Sequence, residues 1–309
     1  MNIICLLVLL ALTAVMSADV TDLVPPDALF VLCVDSPARL EALLERTLFT
    51  TSTLPLKEQV LTPWLDRKAN LSKWDLPISW PLVVKARPRA VMLASFELNP
   101  DTSSDLPLDL NLVLERPDNP RPVLEVLQKF RASQSEQGRL SGETWRGVPI
   151  SSITVYYTTP KKIPVVSPRE RKGKKGRGPG LTAVEGMTLM GESSLSLHYA
   201  LTPERLFITI GPVEHMRTMI DRSLDAPLEV VSRKGEWLDL FAYQSPSPCL
   251  RAFVNLVSLA DKALPKDSTG IRRVMEQSDF RALGFTVTES ADSFRVRIAL
   301  LAPEPRRAL

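Results

Sequence analysis

The chain has 309 residues, enough for one large or two ordinary domains with ample core. Its 26 prolines against 13 glycines stiffen loops, which weighs against glycine-rich phosphate cradles. The formal charge of +3 is unevenly spread: residues 161–177 hold eight basic side chains and one Glu, a net +7 that leaves the remainder at −4.

Residues 1–18 read as a secretory signal. Ile3 to Met16 is apolar apart from Thr13, is short for a bilayer span, and ends at the small residues Ser17 and Ala18, with cleavage expected before Asp19. No Lys or Arg precedes the apolar run, so an uncleaved N-terminal tether is the alternative. The expected location is secreted or periplasmic. Of three cysteines, Cys5 lies in this leader, leaving Cys33 and Cys249 in a compartment that permits oxidation. A Cys33–Cys249 disulfide is one reading; two buried free thiols packing as small hydrophobes is the other.

A short apolar strand, a capping residue, a proline and an amphipathic helix recur along the chain. Phe30 to Val34 leads through Ser36-Pro37 to a helix with Leu40, Leu43, Leu44 and Leu48 on one face. Residues 50–88 are proline-broken and read as irregular, with Trp64, Trp74 and Trp80 expected to fold back over the core. Ala90 to Leu98 and Leu108 to Leu114 read as strands. A helix striped by Val123, Leu124, Leu127 and Phe130 follows, then a strand pair over 139–157 that turns near Gly147. Beyond the basic segment, 187–190 and 195–200 look extended. The strand Leu206 to Ile210 passes through Gly211-Pro212 into a helix lined by Val213, Met216, Ile220 and Leu224. Phe253 to Val257 and Leu259 to Leu264 restart the pattern, and a hairpin, Leu283 to Thr288 with Phe294 to Leu301, closes it.

These elements predict an α/β (α+β) fold, a layered body of sheet and helices. Phe30 to Val34 resembles Phe253 to Val257, and Arg89 to Leu114 parallels Arg281 to Leu301, so the layout predicts two pseudo-repeated halves of strand–helix–hairpin units. The expected divisions are a signal at 1–18, an N-terminal half at 19–157, a disordered basic loop at 158–186 and a C-terminal half at 187–309.

Leu23-Val24-Pro25-Pro26-Asp27-Ala28-Leu29-Phe30, Arg146-Gly147-Val148-Pro149-Ile150 and the closing Leu283-Gly284-Phe285 to Leu301 carry a resemblance. The chain resembles a bacterial domain-of-unknown-function family of secreted or envelope proteins. The resemblance implies export and transfers no catalytic residue.

Lys161, Lys162, Arg169, Arg171, Lys172, Lys174, Lys175 and Arg177 form the sharpest local signal. At this density they attract anionic polymers or lipid headgroups. The Gly-Lys-Lys-Gly-Arg-Gly-Pro-Gly run lacks the Gly-Lys-Ser/Thr ending of a P-loop, and no aromatics are interleaved for base stacking, so no nucleic-acid partner is expected.

His198 and His215 are the two histidines; with Cys33 and Cys249 they have no close ligand spacing, so no metal site or cofactor is expected. There is no Gly-x-Ser-x-Gly or Ser-x-x-Lys, and no catalytic residue is assigned. The expectation is an exported non-enzymatic protein with a binding or structural role in the cell envelope. An envelope hydrolase using a carboxylate pair and a carrier of an apolar ligand are the alternatives.

Overall fold

The computed structural model describes residues 20–42, 78–97, 109–134, 138–162, 165–168, 181–184, 188–225, 229–233, 235–241, 248–263, 280–289 and 294–301. The apolar runs pair into one ten-stranded antiparallel sheet. Its strands are β1 (Phe30–Val34), β2 (Ala90–Ser95), β3 (Leu110–Glu115), β4 (Gly138–Trp145), β5 (Val148–Lys162), β8 (Thr188–Leu201), β9 (Arg205–Ile210), β10 (Leu250–Asn255), β11 (Ala282–Glu289) and β12 (Phe294–Leu301). Their spatial order is β12-β11-β10-β1-β2-β3-β9-β8-β5-β4. Segments β6 (Val165–Pro168) and β7 (Leu181–Val184) pair separately.

Helices cover both faces. On one, Val31, Cys33, Met92, Ala94, Val113, Phe207 and Phe253 pack with the 3-10 turn Val20–Leu23 and with Met216, Met219, Ile220, Trp237, Leu240 and Phe241. On the other, Val34, Val91, Leu114, Ile153, Leu197, Leu206 and Ile208 meet Val83, Val123 and Leu127. The covering helices include α1 (Trp80–Lys85), α2 (Arg121–Ser133), α3 (Val213–Asp225) and α4 (Gly235–Phe241), with α5 (Leu256–Ala263) following β10 directly; residues 37–42 are also helical and bury Leu40 in the second layer. Buried side chains of this size each contribute about 1.5–3 kcal/mol of transfer free energy, so the two apolar layers are the main stabilising force. Gly284 on β11 lets α4 approach closely, since a Cβ there would sit 3.0 Å from Leu240 Cδ2.

The layered fold expected from the pattern is present. Several local expectations need correction. Helix α1 occupies part of the span read as irregular, because Ser79-Trp80-Pro81 supplies a helical entry with proline in the first turn. Trp80 packs against the second apolar layer, while Trp64 and Trp74 lie outside the described residues. The strand expected at 253–257 runs instead from Leu250 to Asn255, because Asn255 Oδ1 accepts the Ser258 backbone N–H at 3.0 Å and so caps α5. The supposed loop 158–186 is strand at both ends: β5 continues to Lys162 against β8, and β6 pairs with β7.

The two halves do not form separate bodies. β10 to β12 flank β1, and β8 and β9 lie between β3 and β5, so strands from both sides of the basic segment share one sheet. The repeat survives in the pairing register. β1, β2 and β3 are neighbours in that order, as are β10, β11 and β12, and the two trios meet where Leu32 pairs with Ala252. A half turn of the register about that pair carries Phe30–Val34 onto Leu250–Val254, three residues from the match that composition gives. The bidentate Asp35–Arg251 ion pair, at 2.8 and 2.5 Å, clasps the junction, with the guanidinium 5.5 Å from the centre of the Trp237 ring.

Cys33 and Cys249 are free and fully buried, each in a different apolar layer, so the disulfide reading is corrected to two packed thiols. Cys249 donates to the Val287 carbonyl at 3.3 Å, and burial pushes its thiol up. The Cys33 and Cys249 thiols should therefore resist an aromatic disulfide reagent in the native protein and react only after denaturation; fast native labelling of either would contradict this packing.

Candidate functional site

Where β2, β3 and β9 end beneath the first turn of α3, polar side chains replace the apolar layer. Asp109 stands just before β3 and is buried, with Asn111 two residues on along the strand. Pairing then lines up Asn111 with Thr209, Thr209 with His198, and His198 with Ser152 across four adjacent strands. All four are buried, forming a polar row perpendicular to the strands.

Asp109 is the most heavily bonded member. Its Oδ1 accepts Ser95 Oγ–H at 2.7 Å and the backbone N–H groups of Phe96 at 3.0 Å and Glu97 at 2.8 Å. Its Oδ2 accepts Asn111 Nδ2–H at 2.7 Å, and Asn111 Oδ1 in turn accepts the Thr209 hydroxyl at 3.0 Å. His215, in the first turn of α3, brings Nδ1 to 2.8 Å from Oδ2, without an in-line hydrogen bond. Its Nε2 faces the exposed Glu97 carboxylate at 3.8 Å, and its ring meets Phe96 edge-on at 5.3 Å.

Burial alone would raise the Asp109 carboxyl. His215, the Glu97 N–H, the Ser95 hydroxyl and the charge attraction of His215 together outweigh it and hold the group below the ordinary carboxylate range. Buried charge is tolerated only when bonded this fully.

The second half of the row is built differently. The Gly211 carbonyl only accepts, so His198 Nε2–H donates to it at 3.0 Å, leaving Nδ1 to accept the Ser152 hydroxyl at 2.7 Å. Burial lowers the His198 pKa, countered in part by the Gly211 carbonyl, so the ring is neutral near pH 7. Ser152 and His198 have the pairing of a nucleophile and base, but both are buried and the ring's far nitrogen is held by backbone. Gly211 joins the two halves. Its φ is +137°, and a Cβ there would lie 3.0 Å from Asp109 Cβ, so glycine is required for the chain to turn from β9 into α3 over the carboxylate.

A surface cluster locks α3 to the β4–β5 hairpin. Arg146 and Gly147 both have positive φ, the mark of a tight two-residue turn between Trp145 and Val148. Arg217 clamps Glu143 at 2.8 and 2.5 Å and lies 5.0 Å from the Trp145 ring centre, whose Nε1–H donates to Asp221 at 2.8 Å. Arg146 pairs with Asp225.

Of the residues singled out from sequence, Lys161 and Lys162 lie on the β5 backbone opposite Leu189 and Thr188. Arg169, Arg171, Lys172, Lys174, Lys175 and Arg177 lie outside the described residues. His198 does sit opposite the face of Leu195 and Leu197, while both histidines join the polar region rather than the cysteines. Among the described residues, no three His, Cys, Asp or Glu side chains converge on a metal position. Sequence reasoning missed Asp109 and Asn111; their signal is a strand face that opens polar at 109 and 111 and turns apolar at 113.

No family model matches the chain, and no curated protein matches it. It is similar to a solved structure described as "Structure of crystal form I of TP0453", with a TM-score of 0.37 and 10% identity over 94% of this chain and 81% of that one. A likeness at that level bears on neither site nor activity.

Folding favours ionised Asp109 and neutral His198, so stability is full above the ordinary pKa of each and falls as pH drops below it. Denaturant midpoints followed from pH 8 downward should show a loss starting near the ordinary His pKa of 6.5 and a second through the carboxylate range. Asp109→Asn should cost roughly 2–4 kcal/mol at pH 7, since an amide meets donors on both oxygens, and should flatten the acid limb. An unchanged acid limb would contradict the assigned role of Asp109.

Proposed function

We propose that this chain is an exported protein with a binding or structural role in the cell envelope rather than an enzyme. The observation that carries the reading is the state of the polar row. Its acid–base groups are spent on one another and on backbone, with the Asp109 carboxylate accepting from side chains and N–H groups and His198 fixed between Ser152 and Gly211. Such a network rigidifies a fold and offers little to a substrate. The leader at 1–18 and the resemblance to an envelope domain-of-unknown-function family support export. The partner proposed is an anionic envelope polymer or a lipid headgroup, held by the basic segment 161–177, whose net +7 contrasts with a mildly acidic remainder.

The hydrolase alternative draws on Glu97, exposed beside His215, with Asp109 on the ring's other side. In that reading Glu97→Gln would abolish a turnover that the binding reading does not contain. The direct test uses the mature chain and a variant with Arg169, Arg171, Lys172, Lys174, Lys175 and Arg177 replaced by Ser, which leaves Lys161 and Lys162 on their strand. The chain should cosediment with vesicles containing phosphatidylglycerol or with an acidic polysaccharide, and lose retention steeply as salt rises, since screening acts over about 10 Å at 0.1 M. The six-fold variant should not be retained. Salt-insensitive binding, or equal binding by the variant, would overturn the partner assignment.

A further inference from the structure

The leader read at 1–18 runs almost directly into the core. Val20 is 1% exposed, and Thr21, Leu23 and Val24 are fully buried. Val20 to Leu23 forms a 3-10 turn inside the first apolar layer, where it packs against α3, β1, β2 and the 3-10 turn Val231–Arg233. The first residues of a mature domain are loose unless something ties them down. Here several bonds do. The Val24 N–H closes the turn on the Thr21 carbonyl at 3.2 Å, and the Val24 carbonyl accepts the Val231 N–H at 3.1 Å. The Ser232 hydroxyl donates to Asp22 Oδ1 at 2.5 Å. Leu29 donates its N–H to the Ser95 carbonyl at 2.8 Å and accepts the Asn255 N–H at 2.9 Å, so the segment is fastened at its far end as well.

Removing the leader means hydrolysing the Ala18–Asp19 bond, with water leaving a carboxylate on Ala18 and an amine on Asp19. An endopeptidase acts on exposed, pliable backbone or on a transiently opened state. Only Asp19 separates this bond from buried Val20, and the residues just downstream are coiled in a turn under α3. Opening them would bring Val20, Leu23 and Val24 into water and break the bonds to Val231 and Ser232, so the open state is rare. Reach points the same way. Two residues span at most about 7 Å. A leader seated in a bilayer would therefore hold the folded body against the headgroups, with no room for an enzyme at the membrane surface.

We propose that the leader is cut before the first apolar layer closes, and that burial of Val20–Val24 then shuts the cleavage site. Resting on the reading of 1–18 as a leader, this fixes an order of events. A membrane-bound signal peptidase hydrolyses Ala18–Asp19 in the extended chain, and the new N-terminal segment docks under α3 afterwards. A chain that folds first is held as an uncut precursor.

The test uses the full precursor in detergent micelles and a purified signal peptidase. Precursor diluted from urea straight into the enzyme should be cut, giving a product that begins at Asp19. Precursor refolded before the enzyme is added should be cut at least about a hundredfold more slowly, because cleavage then waits on the open state. A variant with a Gly-Ser linker of about eight residues between Asp19 and Val20, which reaches roughly 25 Å, moves the bond away from the core. Refolded, with the circular dichroism spectrum and denaturant midpoint of wild type, this variant should be cut as fast as the unfolded chain. Equal rates for refolded and unfolded wild type would overturn the proposal while leaving the leader reading in place. So would resistance of the refolded linker variant, which would assign the block to the micelle and not to burial. No cut after Ala18 even in the unfolded chain would remove the leader reading itself, and the proposal with it.

Discussion

A single buried carboxylate sits where the sheet, the β2–β3 connection and α3 come together. Asp109 draws donors from the end of β2 and from β3, its Oδ2 meets His215 of the first turn of α3, and Gly211 has no side chain so that the chain can pass over it. Removing water from a charge is costly, and the cost is recovered only when every oxygen is bonded. The position of α3 over the sheet is therefore fixed by chemistry more specific than apolar contact. From α3 the constraint spreads outward through Arg217, Asp221 and Asp225 to the Trp145–Arg146 hairpin at the far side of the sheet.

The two flanks of the sheet end in different ways. On the β3 side, β9, β8, β5 and β4 extend it, and the polar row runs from β3 across the first three of them. On the β10 side β12 is the last of the described strands, with Phe294, Val296, Ile298 and Leu300 exposed. A repeated strand trio thus stands in two settings: β3 is followed in the sheet by β9, whereas β12 is the last of the described strands.

Much of the layout was legible because its signals are local. Val31, Cys33 and Val34 in an unbroken apolar run, Pro120 ahead of the helix stripe Val123 and Leu127, and the hairpin at Gly147 all follow from periodicity and turn chemistry. The boundary at Asn255 was less legible, because Val257 continues an apolar run that a side-chain cap interrupts. Strand order could not be read at all: β1 pairs with β10 across more than two hundred residues, and only the folded sheet places Cys33 and Cys249 in different layers. The polar row escaped for the same reason. Asn111, Thr209, His198 and Ser152 are unremarkable singly, and their meaning comes from register.

If Asp109 secures α3 to the sheet, its removal must loosen that whole junction and not one turn. Amide hydrogen exchange on the native chain and on Asp109→Asn tests this most directly. The account predicts that protection falls together at the end of β2 around Phe96 and Glu97, along β3 and through the first turns of α3, while β10 and β11 keep theirs. A loss confined to the Phe96 and Glu97 amides, with α3 as protected as before, would contradict it.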